Sequence, residues 1–218
     1  IEYFKKALEK PEKPLVAVIG GAKVSTKIDV LRNIIGKVDT LIIGGGMAFT
    51  FLKAQGHGVG KSLLEEDLVD SAKETLREAE RHNIRVMLPV DVVAAEAFDN
   101  NAANRVVPAG AIPDNMMGLD IGPESLKLFG EAIRGAKTVI WNGPMGAFEM
   151  PSFSDGTFGV AKIIAESGCI SIIGGGDSVT AINKSGIADR MTYVSTGGGA
   201  FLELLEGKTL PGIAALDR

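Results

Sequence analysis

Short runs of aliphatic residues end repeatedly in glycine, and this pattern constrains the fold more than any other feature of the chain. The clusters stand where a strand should end or a helix begin: Gly20-Gly21, Gly44 to Gly46, Gly174 to Gly176 and Gly197 to Gly199, with Asn142-Gly143-Pro144 as a fifth turn. Glycine at such a point lets the backbone approach a ligand, and the free N–H groups of a helix start favour anions. Several such turns on one edge of a sheet predict a nucleotide or phosphate site.

The apolar runs alternate with helical patterns along almost the whole chain. The predicted strands are Leu15 to Ile19, Thr40 to Ile43, Ile84 to Leu88, Thr138 to Trp141 and Ile170 to Ile173, and the clearest helices are Asp67 to His82, Pro123 to Ile133 and Phe158 to Glu166. This alternation is typical of an α/β fold, a doubly wound and mostly parallel sheet with helices on both faces, in a Rossmann-like three-layer sandwich. Between Pro89 and Met117 the pattern predicts a loop with minor strands.

The 218 residues contain no Ser/Gly-rich linker or charge run, so a single domain over residues 1–218 is predicted. Residues 41–50 and 171–180 align position by position as strand, glycine triplet and helix start. Reuse of one turn in a doubly wound fold explains this better than duplication. The chain opens at Ile1 without an initiator Met, in an amphipathic pattern over Ile1 to Lys10, and we expect it to be a piece of a longer protein.

Composition and charge disfavour several classes of function. The net charge of −4 offers no basic field for nucleic acid, and no segment has the length of a membrane span. Cys169 is the single cysteine, which excludes an internal disulfide and fits a cytoplasmic location. His57 and His82 have no companion at metal-ligand spacing, so neither zinc nor a Ser/His/Asp triad is expected.

Two familiar nucleotide motifs do not fit. The segment Gly56 to Ser62 resembles a phosphate-binding P-loop, but its glycine spacing is wrong and no strand precedes it, so we interpret it as a turn before a helix at Glu65. No Gly-x-Gly-x-x-Gly fingerprint occurs, which disfavours an NAD-dependent dehydrogenase.

Charged residues beside the glycine turns are the candidate ligand-binding groups. If a helix begins near Val24, Lys23 and Lys27 share one face and can both reach phosphates; the alternative is that both are solvated surface lysines. Lysine at a helix N-terminus opposes the macrodipole, and an anionic ligand would relieve this. Asp177 is either a helix N-cap or a ligand of Mg²⁺, and Glu149 either accepts ribose hydroxyl groups or is surface.

Taken together, the motifs resemble the phosphoglycerate kinase family, C-terminal domain, over nearly the whole chain. The matching stretches are residues 20–24, 42–51, 118–124, 141–144, 173–177, 195–200, 204–208 and 210–212. Each is short, but their order and number make the resemblance specific.

The resemblance implies roles for individual residues. Lys23 would neutralise the transferring phosphoryl group, Lys27 would bind the terminal phosphates, and Asp177 would hold the metal of Mg-ATP. The expected nucleotide contacts also include Gly20, Gly21, Gly175, Gly176 and Ser178 near the phosphates, Gly44, Gly45, Gly118 and Leu119 around adenine, and Asn142, Pro144 and Glu149 along the ribose and phosphates. Gly197, Gly198 and Gly199 would contribute backbone N–H groups at the transfer site.

The implied reaction is glycolytic: reversible phosphoryl transfer from 1,3-bisphosphoglycerate to ADP, giving 3-phosphoglycerate and ATP. The basic cluster that grips the sugar-acid phosphate belongs to the family's N-terminal domain, which we expect to be missing from this chain. We therefore expect weak Mg-nucleotide binding and negligible turnover by the chain alone, and we also expect it to be a monomer. The alternative is a non-catalytic nucleotide-binding module of the same fold. The presence of Lys23, Lys27 and Asp177 disfavours it.

Overall fold

The computed structural model describes residues 9–195 and 197–208. Within them the strands are β1 (Leu15–Ile19), β2 (Thr40–Ile43), β3 (Arg85–Met87), β4 (Asp91–Ala95), β5 (Asn104–Pro108), β6 (Met117–Ile121), β7 (Thr138–Asn142), β8 (Ile170–Gly174) and β9 (Tyr193–Val194). The α-helices are α1 (Ile28–Ile34), α2 (Ala48–Ala54), α3 (Val69–Arg81), α4 (Pro123–Arg134), α5 (Asp155–Ser167), α6 (Gly176–Ser185) and α7 (Gly198–Leu205). Short 3₁₀ turns cover Val24–Thr26, Glu66–Leu68, Pro151–Phe153 and Ala188–Arg190.

The main sheet confirms the predicted doubly wound architecture. Its strand order is β3-β2-β1-β7-β8-β9, and every neighbouring pair is parallel. The chain moves outward from β1 to β3, then starts again beside β1 with β7 and moves outward in the other direction. The strand order therefore reverses between β1 and β7, and ligands of such sheets bind beside that point at the carboxyl ends of the strands.

Two apolar cores cover the two faces of this sheet. Leu15, Ala17 and Ile19 of β1 pack into the core that holds residues of α1, α2, α3 and α7. Val16 and Val18 point the other way, into the core that holds residues of α4, α5 and α6. Because side chains alternate along a strand, a strand covered on both faces must be apolar throughout, as β1 is.

The segment predicted to be a loop with minor strands contains such strands, and they pair into a second sheet that the sequence did not predict. Strands β5, β4 and β6 form a three-stranded antiparallel sheet in that order. The strands are only five residues long and are separated by polar residues, Gly and Pro, so their sequence pattern is weak. Val92, Ala94 and Val107 supply a small core on one face, together with Phe49 of α2.

Two aspartates of the second sheet join it to helices of the main domain. At the start of β4, Asp91 accepts hydrogen bonds from the backbone N–H groups of Glu124 (3.0 Å) and Ser125 (2.7 Å) in the first turn of α4. In β6, Asp120 accepts one from the N–H of Gly156 (2.8 Å) in the first turn of α5. Each carboxylate therefore satisfies N–H groups that a helix leaves without an internal partner.

The predicted strands of the main sheet and the helices Asp67 to His82, Pro123 to Ile133 and Phe158 to Glu166 are confirmed within three residues. Two other predicted helices have different outcomes. No α-helix begins near Val24, because residues 24–26 form a 3₁₀ turn and α1 starts at Ile28. The amphipathic helix expected over Ile1 to Lys10 falls mainly on residues 1–8, outside the described part of the chain. Over the described ranges, no helix has both the length and the apolar character needed to cross a membrane.

The capping role of Asp91 makes a stability prediction. Replacing Asp91 with Ala removes the acceptor for both N–H groups and one of the two acceptors of the Ser125 hydroxyl (2.6 Å), and we expect the free energy of unfolding to fall by about 2 kcal/mol. Urea denaturation measures this. Asp114→Ala, an exposed aspartate without such contacts, is the matched control, and equal losses in both variants would contradict the capping role.

Candidate functional site

Four adjacent strands of the main sheet end in the same kind of turn. After β2, β1, β7 and β8 the chain passes through Gly45, Gly21, Gly143 and Gly175, with φ of +70°, +113°, +96° and +96°. Residues that carry a side chain rarely adopt this backbone conformation, so glycine is the residue suited to these positions. The repeated glycine pattern of the sequence therefore reflects one turn used at four neighbouring strand ends.

Backbone hydrogen bonds tie three of these turns together. Gly20 donates to the carbonyl O of Asn142 (2.8 Å), Gly21 to that of Pro144 (3.0 Å), and Gly45 to that of Met145 (3.1 Å). A Cβ at Gly45 would lie 2.5 Å from the carbonyl O of Gly21 and 2.7 Å from that of Pro144. Because these glycines have no side chains, the backbones of the three turns pack directly against one another at the reversal point between β1 and β7. We call this packed backbone the floor of the cleft described below.

A cleft of about 600 Å³ opens between these turns and the second sheet. This volume is typical of small-molecule sites. Seven of the residues predicted from the sequence line it: Gly21, Gly45, Gly118, Leu119, Pro144, Glu149 and Asp177.

The wall of the cleft on the second-sheet side is largely apolar, and sequence reasoning missed most of it. Phe49, Leu63 and Phe98 line it beside Gly118 and Leu119. Phe98 is 69% exposed and Leu63 47% exposed, so both apolar side chains are accessible from solvent. Phe98 is the sequence feature that could have indicated this wall, because it is a single large apolar residue in a segment interpreted as a loop.

The loop interpreted as a simple turn before a helix at Glu65 also contributes to this wall. Lys61 lines the cleft, and the buried hydroxyl of Ser62 accepts a hydrogen bond from the backbone N–H of Gly118 (2.9 Å). A 3₁₀ turn begins at Glu66 and α3 at Val69. The loop follows the helix α2 and not a strand, which agrees with the interpretation that it is not a P-loop.

Lys27 lies below the turns in a half-buried position. Its Nζ donates to Oδ1 of Asn142, and the Asn142 amide donates in turn to the carbonyl O of Gly174 (2.8 Å). Burial lowers the pKa of Lys27, while the charges of Asp177 and Glu206 oppose that shift. A cation held here with a lowered pKa gains a favourable partner if an anion enters the site.

Lys23 does not share a helical face with Lys27, and that prediction is wrong. It is exposed and precedes the 3₁₀ turn, whereas Lys27 is the N-cap residue of α1. A four-residue spacing aligns two side chains only in a continuous α-helix. The macrodipole argument therefore applies to Lys27 alone.

The N-termini of α6 and α7 meet beside the cleft. Gly175 is the N-cap residue of α6 and Gly197 that of α7, while a Cβ at Gly198 would lie 3.6 Å from the backbone N of Gly176. Asp177 is in the first turn of α6 and is exposed, so the N-cap alternative for this residue is wrong. Two converging helix starts form a favourable place for an anion.

Other predicted residues form the support below the cleft. The hydroxyl of Ser178 is fully buried and accepts a hydrogen bond from the backbone N–H of Gly143 (2.7 Å). Gly20 and Gly44 leave no room for a side chain against Pro144 and Met145. Gly199 lies in the first turn of α7.

Asp120 is a buried carboxyl group in the wall of the cleft that the sequence did not single out. It is 3% exposed and accepts hydrogen bonds from the N–H groups of Ile121 (2.9 Å) and Gly156 (2.8 Å). Burial raises the pKa of Asp120 to about 7, the two N–H bonds oppose this, and the charge of Asp155 adds to it. Residues 9–195 and 197–208 contain no cluster of three or more acidic, His or Cys side chains suited to hold a metal ion by themselves.

The fold and the cleft define a doubly wound α/β protein with a candidate ligand site at the reversal point of its sheet. The chain belongs to the phosphoglycerate kinase family, because the sequence model of that family matches residues 1–208.

Relatives and solved structures agree with this assignment. A phosphoglycerate kinase of Clostridium botulinum (strain Langeland) is 55% identical over 217 residues, which are 100% of this chain and 54% of the relative. One from Thermosynechococcus vestitus is 56% identical over 220 residues, 100% of this chain and 55% of the relative. The chain thus spans about half the length of the curated relatives it matches.

The structure of phosphoglycerate kinase from Coxiella burnetii has a TM-score of 0.95 at 48% identity, over 99% of this chain and 56% of that one. The phosphoglycerate kinase from Pyrococcus horikoshii has a TM-score of 0.84 at 30% identity, over 99% of this chain and 55% of that one.

The interlocked turns predict a different cost for two glycines of equal backbone conformation. Gly45 and Gly168 have φ of +70° and +71°, but a Cβ meets three backbone atoms at Gly45 and nothing within 4 Å at Gly168. We expect Gly168→Ala to lower the free energy of unfolding by about 1 kcal/mol, from backbone strain alone. Gly45→Ala should cost at least about 3 kcal/mol, because the turns must also separate. Equal losses in urea denaturation would contradict the interlocking.

The buried carboxyl of Asp120 predicts a pH-dependent stability. Its folded pKa of about 7 lies above the ordinary 3.8, so the native state retains the proton longer and stability falls as pH rises from about 4 to 7. The free energy of unfolding falls by about 4 kcal/mol in total, since each pH unit across this window contributes about 1.4 kcal/mol. The stability difference between the wild type and Asp120→Asn should shift by this amount over that range. A constant stability difference for Asp120→Asn over that range would contradict the assignment.

Proposed function

We propose that this chain supplies the Mg-nucleotide half of the phosphoglycerate kinase reaction, the reversible transfer of a phosphoryl group between 1,3-bisphosphoglycerate and ADP. One observation carries the proposal: the cleft at the reversal point joins an apolar wall to a region with Lys27 and two helix N-termini. A nucleotide has the same division into an apolar base and an anionic phosphate chain. The matched relatives are named for this reaction.

The base would lie against the apolar wall. Phe49, Leu63 and Phe98 offer apolar surface for a planar ring, and Gly118 leaves room for the Phe49 ring because it carries no side chain. Glu149 is exposed at the edge of the cleft and is suited to accept hydrogen bonds from ribose hydroxyl groups. Gly45 and Pro144 would complete the floor below the base and ribose.

The phosphates would lie toward Lys27, Lys23 and the starts of α6 and α7. Phosphoryl transfer passes through a loose transition state that needs little covalent help, so cations and helix N–H groups can supply most of the catalysis. In this proposal Lys23 neutralises the transferring group, and the N–H groups of Gly197 to Gly199 face it. Mg²⁺ enters with the nucleotide, and Asp177 supplies its single protein carboxylate, as is usual for magnesium held mainly by phosphates.

The proposal also covers the division of labour between domains. Residues 1–218 act as one nucleotide-binding domain, and the site for 3-phosphoglycerate lies in the part of the longer relatives that this chain does not span. One reactant would then be neither held nor shielded from water, so turnover by this chain alone should be negligible. We further propose a monomer that acts in the cytoplasm.

Calorimetric titration with Mg-ADP tests the proposed site. We expect saturable binding by the 218-residue chain and about tenfold weaker binding by Asp177→Ala, because one magnesium ligand is lost. Asp189→Ala, which removes an exposed aspartate beyond α6, should bind as the wild type does.

Failure of the folded wild-type chain to bind Mg-ADP would contradict the proposed site, and saturable NADH binding instead would point to a dehydrogenase-type module. Adding the part of a longer relative that this chain lacks should produce turnover from 3-phosphoglycerate and ATP. Nucleotide binding without such turnover would favour a non-catalytic module.

A further inference from the structure

The carboxylate of Glu65 holds the turn that connects Lys23 to Lys27. The backbone N–H of Ser25 donates to its Oε2 at 3.1 Å, and the hydroxyl of the same serine donates to its Oε1. Ser25 is the middle residue of the 3₁₀ turn Val24–Thr26. One carboxylate therefore binds one residue through both oxygens, and hydrogen bonds to an ionised acceptor are among the stronger ones.

Glu65 is itself attached to a helix of the cleft. Its backbone N–H donates to Oγ1 of Thr50 at 3.2 Å, and Thr50 is 1% exposed within α2. That helix follows the interlocked turn at Gly45. The contact thus links the lysine-bearing turn to the floor of the cleft across 40 residues of sequence.

Other contacts fix parts of this turn: the side chain of Val24 is buried in the core of the main sheet, whereas Ser25 and Thr26 are exposed. The hydroxyl of Thr26 donates to the carbonyl O of Lys23 (2.8 Å) and the N–H of Lys27 donates to that of Val24 (2.8 Å), which shape the turn internally. Lys27 is fixed separately through Asn142. In the described part of the chain Glu65 forms no ion pair with Lys23 or Lys27, so it does not neutralise either ammonium group by direct contact.

We propose that Glu65 is a positioning residue, which holds the Lys23–Lys27 turn, through Ser25, in the geometry that receives the phosphates. The inference rests on the proposed function. As a charge alone, a carboxylate close to a phosphate site weakens anion binding by repulsion. As a clamp it strengthens binding, because a preorganised turn loses less freedom when the ligand arrives. The two roles predict opposite effects when the charge is removed.

Calorimetry with Mg-ADP and with magnesium pyrophosphate separates these roles. Glu65→Gln should bind both ligands about fivefold to tenfold more weakly, by the same factor, because displaced phosphate-binding groups lose contacts at the phosphate end alone. Ser25→Ala should show a similar loss with no change in charge, and Ser25→Thr, which keeps the hydroxyl, should bind as the wild type does. The double variant Ser25→Ala/Glu65→Gln should lose little more than either single one.

Glu66→Gln is the matched control, since it removes an exposed carboxylate one residue away and should leave affinity unchanged or slightly increased. Tighter or unchanged binding by Glu65→Gln, an equal loss in Glu66→Gln, or a loss for Mg-ADP without one for pyrophosphate would overturn the clamp. Thermal unfolding verifies folding; if Glu65→Gln is unfolded, the comparison of Ser25→Ala with Ser25→Thr decides. Absence of Mg-ADP binding by the folded wild type would overturn the proposed function, and the clamp with it, whereas wild-type binding with unaffected variants overturns the clamp alone.

Discussion

Backbone hydrogen bonds between neighbouring strand-end turns are the contacts on which the site depends. They join the turns after β1, β2 and β7 at distances of 2.8 to 3.1 Å, and they form only because Gly20, Gly45 and Gly143 leave no side chain between the turns. These bonds lie where the strand order reverses, so the floor of the cleft and the centre of the sheet are one structure. A change that separates the turns would alter both the core and the site.

The second sheet supplies what the parallel sheet lacks, a wall opposite the turns. Its attachment depends on two carboxylates, Asp91 and Asp120, which accept hydrogen bonds from the starts of α4 and α5. Asp120 is desolvated in this arrangement and still faces the cleft. Asp120 therefore both attaches the wall to α5 and places a titratable carboxyl group beside the cleft.

Charge is concentrated on the other side of the cleft. Lys27 is half-buried with a lowered pKa, and α6 and α7 direct their N-termini to the same region. Burial makes an unpaired cation costly and makes its interaction with an incoming anion stronger. The proposed phosphate site and the proposed clamp through Glu65 both follow from this placement of positive groups around a backbone floor.

Several features were determined by the sequence itself. The alternating apolar and helical patterns predicted the doubly wound sheet, since a strand buried on both faces must be apolar throughout. The glycine clusters predicted the strand-end turns at its carboxyl edge, where the cleft lies. The motifs together identified the family.

Only the tertiary structure decided which residues complete the cleft. The pairing of the minor strands into a second sheet was missed because these strands are short and their attachment uses long-range contacts from Asp91 and Asp120. The wall residues Phe98 and Leu63, the 3₁₀ turn after Lys23, and the Ser25–Glu65 contact also depend on residues far apart in the chain. Local sequence patterns do not reveal such partners, because a hydrogen bond between residues 40 positions apart does not affect the spacing of apolar residues in either segment.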